Sequence, residues 1–338
     1  MSGGLAAGQA AERASALADG QAGLWRPDFS VAVPTPDISP WIAGNTGLPG
    51  FTTLEGAADG PHVVLVALTH GNETAGAAAL DRLLRAGVRP QRGRLTLGFA
   101  NLDAFQRFDP AQPTATRFLD EDLNRLWDLP TLEGSRSSRE LERARAMRPV
   151  LEQADLLLDL HSMLWPSDPL ILSGPAAKGG RLAAAIGTPP LVVADEGHLG
   201  GRRLIDFAPF ADPDSPQVAV LVEAGQHWQP DTVDTTLACI EGLLRHAGML
   251  PPGTASSGLP GTGATVRRAE VTMTVTAATA GFAFTRPFRG GEVIAAGDTL
   301  IATDGTAEVR TPYDDCLLVM PSLRPSRGHT AVRLARFT

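Results

Sequence analysis

A histidine and a glutamate, His70 and Glu73, lie three residues apart where an apolar run ends and an alanine-rich run begins. An imidazole nitrogen and a carboxylate oxygen are both ligands of catalytic zinc ions, and this spacing lets the two side chains meet at one ion. The pattern is short, however, and a glutamate in the first turn of a helix is also stabilised by the helix dipole. A metal site therefore requires a further ligand from another part of the chain.

Two other apolar runs lead to residues of the same chemical kind. The three runs cover residues 62–68, 154–161 and 217–223. Such runs are typical of strands buried on both faces of a parallel sheet, and parallel strands present their carboxyl ends at one edge. We therefore expect His161 to join His70 and Glu73 as the third metal ligand, with Glu223 beside them. Two histidines and one glutamate, with a fourth position left to water, form a catalytic zinc set.

Helical patterns alternate with these strands from about residue 61 to residue 248. They cover 73–85, 140–153 and 234–246, and Gly248 fits the end of the last one. Alternating strands and helices predict an α/β fold, in which helices flank a largely parallel sheet.

The composition divides the chain into four segments. Residues 1–30 are predicted to be an N-terminal extension, which lacks the basic start and the leucine- or valine-rich core of a signal peptide. Residues 31–250 are predicted to form the catalytic domain, and residues 251–263, rich in proline, glycine and serine, a linker. Residues 264–338 alternate short apolar runs with glycine turns, which predicts a smaller all-β domain.

The overall composition argues against several classes of protein. Of the 338 residues, 43% are hydrophobic and 20% are charged, and no apolar run reaches the ~18 residues that span a membrane. The net charge of −8 and the lack of a basic stripe argue against a nucleic-acid partner. Cys239 and Cys316 lie far apart without metal-type neighbours, so we expect free buried thiols and a cytoplasmic location. The sequence leaves open whether the chain forms a homo-oligomer.

A strongly polar segment over residues 117–125 contains Arg117, Asn124 and Arg125. One interpretation is a solvated loop, in which the arginines pair with the three acidic residues between them. The other is a substrate-binding loop, because the planar guanidinium group binds a carboxylate through two parallel hydrogen bonds. A neighbouring zinc site would favour the second interpretation.

The order of these motifs resembles that of the succinylglutamate desuccinylase/aspartoacylase family. The matching segments are His70-Gly71-Asn72-Glu73, Arg117 with Asp122-Leu123-Asn124-Arg125, Asp159-Leu160-His161, and Glu223 with Gly225-Gln226. The resemblance spans roughly residues 60–230 and implies the zinc carboxypeptidase-like fold. The family also has a β-rich C-terminal domain, which residues 264–338 match in kind.

The resemblance implies a role for each matched residue. The ligands of one zinc ion per chain would be His70, Glu73 and His161. Glu223 would be the general base that takes a proton from the zinc-bound water and later protonates the leaving amine. Arg117 would help to polarise the scissile carbonyl, and Asn124 and Arg125 would bind a carboxylate of the substrate.

The chain departs from the family pattern in places. Glu223 is followed by Ala224-Gly225-Gln226, whereas aspartoacylases tend to have Gly-Pro-Gln there. A further substrate-binding arginine of the family has no anchoring motif, and Arg202 and Arg203 are the candidates. The family's substrate-binding tyrosine is also unplaced, because Tyr313 stands in a sequence typical of a turn.

Asp159 lies two residues before His161 and therefore on the same face of the strand. It either supports a ligand histidine or forms a salt bridge at the edge of the core. The histidines outside the metal set are expected to be structural, and they are His62, His198, His227, His246 and His329.

These residues predict a zinc-dependent amide hydrolase that acts on a small N-acyl amino acid or a related carboxylate-bearing amide. A zinc carboxypeptidase acting on peptides is an alternative, although the interval from Glu73 to His161 is closer to that of the deacylases. A zinc- or ligand-binding protein without catalysis is another, although a binder has no need of Glu223 beside the metal. The acyl group and the amine stay open.

Overall fold

The computed structural model describes residues 29–198, 200–250 and 265–338. They divide into two compact units, a larger one of Phe29–Leu164 and Pro169–Arg268 and a smaller one of Trp165–Asp168 and Ala269–Thr338. The predicted linker over 251–263 lies outside the described residues, as does all but the end of the predicted N-terminal extension. No helix in the described ranges is long and apolar enough to cross a membrane.

A mixed sheet forms the centre of the larger unit. Its strands are β1 (Phe51–Glu55), β2 (Ala58–Ala67), β3 (Arg92–Phe99), β4 (Leu156–Met163), β5 (Leu170–Leu172), β6 (Leu191–Ala194) and β7 (Val218–Gln226). Within this unit they lie in the order β1-β3-β2-β4-β7-β5-β6. Strands β3, β2, β4 and β7 are parallel, whereas β1 is antiparallel to β3, and β5 is antiparallel to β7. The predicted mixed, largely parallel sheet is thereby confirmed.

Helices lie between the strands. They are α1 (Thr74–Arg85), α2 (Leu102–Phe105), α3 (Leu129–Glu133), α4 (Arg139–Leu151), α5 (Ala177–Ile186), α6 (Ala208–Ala211) and α7 (Pro230–His246), with short 3-10 helices at Ser39–Trp41, Leu123–Arg125 and Leu204–Asp206. Helix α4 follows Ser138, whose side chain accepts a hydrogen bond from the Leu141 amide. Helix α7 begins at Pro230, before the predicted start at Asp234, because proline's fixed φ suits the first helical turn.

Along the central strands, residues that pack into an apolar cluster alternate with residues that face the other side of the sheet. Leu65, Leu160 and Val222 belong to one apolar cluster, which also contains residues of α1, α5 and α7. Successive side chains of a strand point to opposite faces of the sheet, so the residues next to these point away from that cluster. The polar ones among them are Asp159, His161 and Glu223.

The described residues of the smaller unit are all-β, as predicted. The strands are β8 (Arg267–Thr276, from Ala269 on in this unit), β9 (Phe282–Phe284), β10 (Val293–Ile294), β11 (Leu300–Asp304), β12 (Ala307–Arg310), β13 (Cys316–Val319) and β14 (Thr330–Phe337). Strands β8, β14, β13 and β10 pair antiparallel in that order, and so do β12, β11 and β9. Cys316 of this unit and Cys239 of α7 are both free and buried. The Tyr313 hydroxyl lies 2.6 Å from Thr272 Oγ1.

His62, in the first half of β2, is buried and hydrogen-bonded through both ring nitrogens. Its Nδ1 lies 3.0 Å from the carbonyl oxygen of Gln153, and its Nε2 lies 2.7 Å from Thr96 Oγ1. Because a carbonyl oxygen can only accept, Nδ1 carries a proton, and in the neutral ring Nε2 accepts one from the threonine hydroxyl. Burial lowers the pKa of His62, and the hydrogen bond to Gln153 offsets this only in part.

This arrangement predicts a pH-dependent stability. An imidazole with a lowered pKa in the folded protein takes up its proton first in the unfolded chain, so the stability from neutral His62 is complete above the unfolded pKa of about 6.5 and declines below it. We expect the urea midpoint of the wild type to fall more steeply than that of His62→Gln between about pH 7 and about pH 5. His246→Gln, which replaces an exposed histidine of α7, should follow the wild type. Equal slopes for all three proteins would contradict this role of His62.

Candidate metal centre

The turn from β2 into α1 carries two of the predicted metal ligands. Leu68 follows the strand with a φ of 60°, a left-handed conformation that costs a non-glycine residue on the order of 1 kcal/mol or more. At Gly71, a Cβ atom would lie 2.5 Å from the Ala104 carbonyl carbon, so only glycine fits between His70 and Asn72. Glu73 is the residue before α1, and not its first residue as predicted. The backbone around both ligands is thus constrained by close packing.

His161 and Glu223 lie side by side on β4 and β7, where they are register partners in the parallel pairing. Both strands continue past them, to Met163 and Gln226, because the pairing resumes after an irregularity that follows His161. The two residues therefore lie inside their strands and not at the strand ends that the apolar runs predicted.

His70, Glu73 and His161 form a buried group that could hold a metal ion. Their ligand atoms all lie within 4.8 Å of one another. His70 Nδ1 is 2.7 Å from Glu73 Oε1, and His161 Nδ1 is 3.0 Å from Glu73 Oε2. Both imidazoles thus turn the same nitrogen toward the carboxylate. Two nitrogens and a carboxylate that converge in this way fit a divalent ion such as zinc, with a coordination position left for water or substrate.

The Glu73 carboxylate is contacted on both oxygens. Arg117 Nη1 lies 3.2 Å from Oε1, and the Ser162 amide donates a hydrogen bond of 3.1 Å to Oε2. Burial raises the pKa of Glu73, but the charges of His70 and His161 outweigh burial and hold this pKa well below its usual range. Glu73 is therefore ionised, as a carboxylate that binds a metal must be.

An aspartate carboxylate lies close to the second nitrogen of each candidate ligand histidine. His70 Nε2 lies 3.0 Å from Asp122 Oδ1, and His161 Nε2 lies 2.9 Å from Asp159 Oδ2. Thr69 Oγ1 donates a hydrogen bond of 2.9 Å to the other oxygen of Asp159. Such carboxylates fix the ring orientation of a metal-binding imidazole and raise its basicity. The geometry favours the supporting role for Asp159. It also places Asp122 beside His70, a contact that the sequence did not predict.

Glu223 is buried beside this group, and its Oε2 has no hydrogen-bond partner among the described residues. Burial and the negative charge of Glu73 raise the pKa of Glu223 to about 8. A carboxyl oxygen without a protein partner, next to residues that can hold a metal, is available to exchange a proton with a bound molecule.

The predicted substrate residues surround Asp122. Arg117 Nη2 is 3.3 Å from Asp122 Oδ2, and Arg125 Nη2 is 3.8 Å from the same oxygen. Asn124 is buried, and its Oδ1 accepts a hydrogen bond from the Leu204 amide at 2.8 Å, which leaves its amide nitrogen as the group suited to bind a carboxylate. The arginines pair with an acidic neighbour, as the first interpretation predicts, and Arg117 also contacts Glu73. Substrate binding by this segment stays a prediction.

The two candidates for a further substrate arginine differ in their surroundings. Arg203 is buried between two aspartates, with Nη2 2.8 Å from Asp195 Oδ1 and Nε 2.7 Å from Asp206 Oδ2. These ion pairs give Arg203 a structural role. Arg202 is exposed.

His227 is buried two residues beyond Gly225, with Nδ1 2.7 Å from Ser162 Oγ. Burial lowers the pKa of His227 to about 4, so the ring is neutral near pH 7. The next residue, Trp228, has a φ of 62° and donates a hydrogen bond from Nε1 to the Asn72 carbonyl. These contacts agree with the structural role expected for His227, and no sequence pattern revealed its partner.

A model of the succinylglutamate desuccinylase/aspartoacylase catalytic domain matches residues 59–247. The chain belongs to this family. Succinylglutamate desuccinylases of Pseudomonas aeruginosa are 32% identical to it over 132 residues, which is 37% of this chain and 37% of those proteins. The match thus spans little more than a third of the length of these curated relatives.

Solved structures share the fold of this desuccinylase/aspartoacylase family member. A succinylglutamate desuccinylase/aspartoacylase from Rhodobacter sphaeroides is 22% identical, with a TM-score of 0.64 over 85% of this chain and 88% of that one. A succinylglutamate desuccinylase from Vibrio parahaemolyticus is 17% identical, with a TM-score of 0.63 over 86% of each chain. A product-bound ectoine utilization protein from Ruegeria pomeroyi is 20% identical, with a TM-score of 0.60 over 84% of this chain and 88% of that one.

The contact between Asp159 and His161 predicts an effect on metal binding in this family member. Asp159→Asn should weaken the binding of a divalent metal about 10- to 100-fold, because an amide orients and polarises the imidazole less well than a carboxylate. A competition titration with a chromogenic zinc chelator measures this. Asp155→Asn, which alters an exposed aspartate just before the same strand, is the matched control. Equal zinc affinities for the two variants would contradict the supporting role.

Proposed function

We propose that this protein is a zinc-dependent deacylase that hydrolyses the amide bond of a small N-acyl amino acid or a related amide bearing a carboxylate. The supporting observation is the convergence of His70, Glu73 and His161 beside the unpartnered oxygen of Glu223, in a member of the desuccinylase/aspartoacylase family. Water adds to the carbonyl carbon, and the C–N bond breaks to give a carboxylate and an amine. When bound, zinc would supply Lewis-acid activation of the water and the carbonyl.

Glu223 is assigned the two proton transfers. In its ionised form, which the positive charge of a bound zinc ion would favour by lowering its pKa, Glu223 accepts a proton from the attacking water at Oε2. It then passes this proton to the nitrogen as the C–N bond breaks, so that the amine leaves as a neutral molecule. The register pairing with His161 keeps Glu223 next to the ligand group throughout. Its lack of a hydrogen-bond partner at Oε2 leaves that oxygen available to the water.

We assign to the arginines the binding and stabilisation of negative charge on the substrate. Arg117 lies 2.8 Å from His70 Nε2 and 3.2 Å from Glu73 Oε1, where its charge would stabilise the oxyanion that develops on the carbonyl oxygen. Arg125 and the amide nitrogen of Asn124 would bind a carboxylate of the substrate. The Pseudomonas relatives are named succinylglutamate desuccinylase, which makes N-succinyl amino acids the first substrates to test.

Glu223→Gln should lower kcat at least about 100-fold while zinc stays bound, because glutamine keeps the shape of the side chain but cannot take up the proton. The measurement is amine release from a panel of N-acyl amino acids and of peptides, with the zinc content of each protein determined by atomic absorption. Glu55→Gln, at the exposed end of β1, is the control.

Wild-type turnover by Glu223→Gln would show that another group transfers the proton. Release of C-terminal residues from peptides, without hydrolysis of N-acyl amino acids, would identify a peptidase instead. Full activity in zinc-free protein would exclude the metal from the mechanism.

Arg125→Ala should raise KM about 10-fold or more with a smaller change in kcat, because a hydrogen bond between charged groups contributes roughly 1.5–3 kcal/mol. The comparison uses an N-acyl amino acid and its methyl ester, since only the free acid retains the carboxylate. Arg107→Ala removes an exposed arginine and serves as the control. An equal rise in KM for the acid and the ester would show that Arg125 does not recognise the carboxylate.

A further inference from the structure

Glu140, in the first turn of α4, is a buried carboxylate whose two oxygens face four N–H groups. The side chain is 1% exposed. Oε1 accepts hydrogen bonds from Asn101 Nδ2 at 3.1 Å and from the Leu119 amide at 2.8 Å. Oε2 accepts from the amides of Asp120 at 3.0 Å and Glu121 at 3.2 Å. The Glu140 carboxylate thus accepts hydrogen bonds from three consecutive backbone amides and from the side chain of Asn101, which lies just after β3.

These amides lie in the middle of the polar segment over 117–125. Arg117, which contacts Glu73, is two residues before the first of them, and Asp122, which contacts His70, directly follows the last. The segment is also attached at its sides, since the Arg117 carbonyl accepts from the Gly71 amide at 2.9 Å and Asn124 Oδ1 accepts from Leu204. Glu140 supplies the buried attachment between these two, beside the outer contacts of Asp120 with the Arg139 amide and of Glu121 with Arg136 and Ser138.

We propose that Glu140 is a positioning residue that fixes the 117–125 segment, and through it Arg117, Asp122 and Arg125, relative to the metal ligands. This inference rests on the proposed function for its effect on turnover, although the effect on the segment itself does not depend on a substrate. Three adjacent amides that point the same way cannot be satisfied by a strand or a helix partner, so the segment requires an external acceptor. Glu140 provides it from a helix, which is more rigid than the segment that it holds.

Glutamine cannot replace this carboxylate. Each oxygen of Glu140 accepts two hydrogen bonds from N–H donors, so the NH₂ group of a glutamine meets two donors in either of its orientations. Rotation of the Asn101 amide offers no remedy, because its Oδ1 already accepts from the Ala104 amide at 3.2 Å. Glu140→Gln is therefore nearly isosteric, yet it replaces two of the four hydrogen bonds with contacts between donors.

The test compares Glu140→Gln with Glu142→Gln, which alters an exposed glutamate two residues further along the same helix. Hydrogen–deuterium exchange of a peptide containing residues 119–121 reports on the three amides directly. The same proteins are assayed for kcat and KM on the best N-acyl amino acid of the panel and for zinc per chain.

In Glu140→Gln we expect faster exchange of the amides at 119–121 but not of those in β2 or β4, and we expect the protein to retain zinc. Its kcat/KM should fall about 10- to 100-fold, because a displacement of about 1 Å in a substrate-binding group has effects of this size. Glu142→Gln should match the wild type in every measurement. Unchanged kcat/KM or unchanged exchange at 119–121 would overturn the proposal. Faster exchange throughout the larger unit would also overturn it, since Glu140 would then act on general stability.

Two further outcomes separate this proposal from the proposed function. If the wild type hydrolyses no member of the panel, the proposed function fails, and the exchange at 119–121 alone decides whether Glu140 fixes the segment. If Glu140→Gln does not fold, Glu140→Asp, which keeps both acceptor oxygens on a shorter side chain, takes its place. Relative to the wild type, Glu140→Asp should then show a lower kcat/KM and faster exchange of the three amides, which stay partly protected. Unchanged values for both measurements would overturn the proposal.

Discussion

The structure depends on the burial of one carboxylate, that of Glu73. Removing such a group from water costs several kcal/mol unless charges and hydrogen bonds compensate it. Here the compensating groups come from three separate parts of the larger unit: His70 from the turn after β2, His161 and the Ser162 amide from β4, and Arg117 from the polar segment. The ion pairs that keep Glu73 charged are therefore the same contacts that assemble the candidate metal site.

The sequence predicted those parts of the site that follow from strand polarity. Apolar runs identify β2, β4 and β7, and parallel strands bring His161 and Glu223 to the edge where the turn carrying His70 lies. The fold class and the family were predicted correctly for this reason. The contact of Asp122 with His70 was not predictable, because it joins residues far apart in sequence through a loop. The burial of Arg203 between aspartates was missed on the same grounds.

The candidate metal ligands and the residues assigned to the substrate are held in position in two different ways. His161 lies on a strand, and His70 and Glu73 lie in the turn from β2 into α1, where backbone pairing and close packing at Gly71 leave these candidate ligands little freedom. The residues assigned to the substrate lie on a segment with a single short 3-10 helix, Leu123–Arg125, and depend on side chains from elsewhere for their position. This combination, a rigid candidate metal site beside a loop that carries the proposed substrate residues, agrees with the general location of recognition residues on loops.

The alternation along β4 and β7 limits how the chain can change in length. Leu160 and Val222 pack into the apolar cluster, while their neighbours His161 and Glu223 point to the other face. Inserting or deleting one residue before either pair would exchange the two faces, placing leucine or valine at the candidate metal site and burying a charge among helices. Insertions in the connections between strands, such as the one between β5 and β6, do not change which residues of a strand face which side of the sheet. Loops of this chain can therefore change in length freely, whereas the strands that carry the candidate metal site can change length only at their outer ends or by two residues at a time.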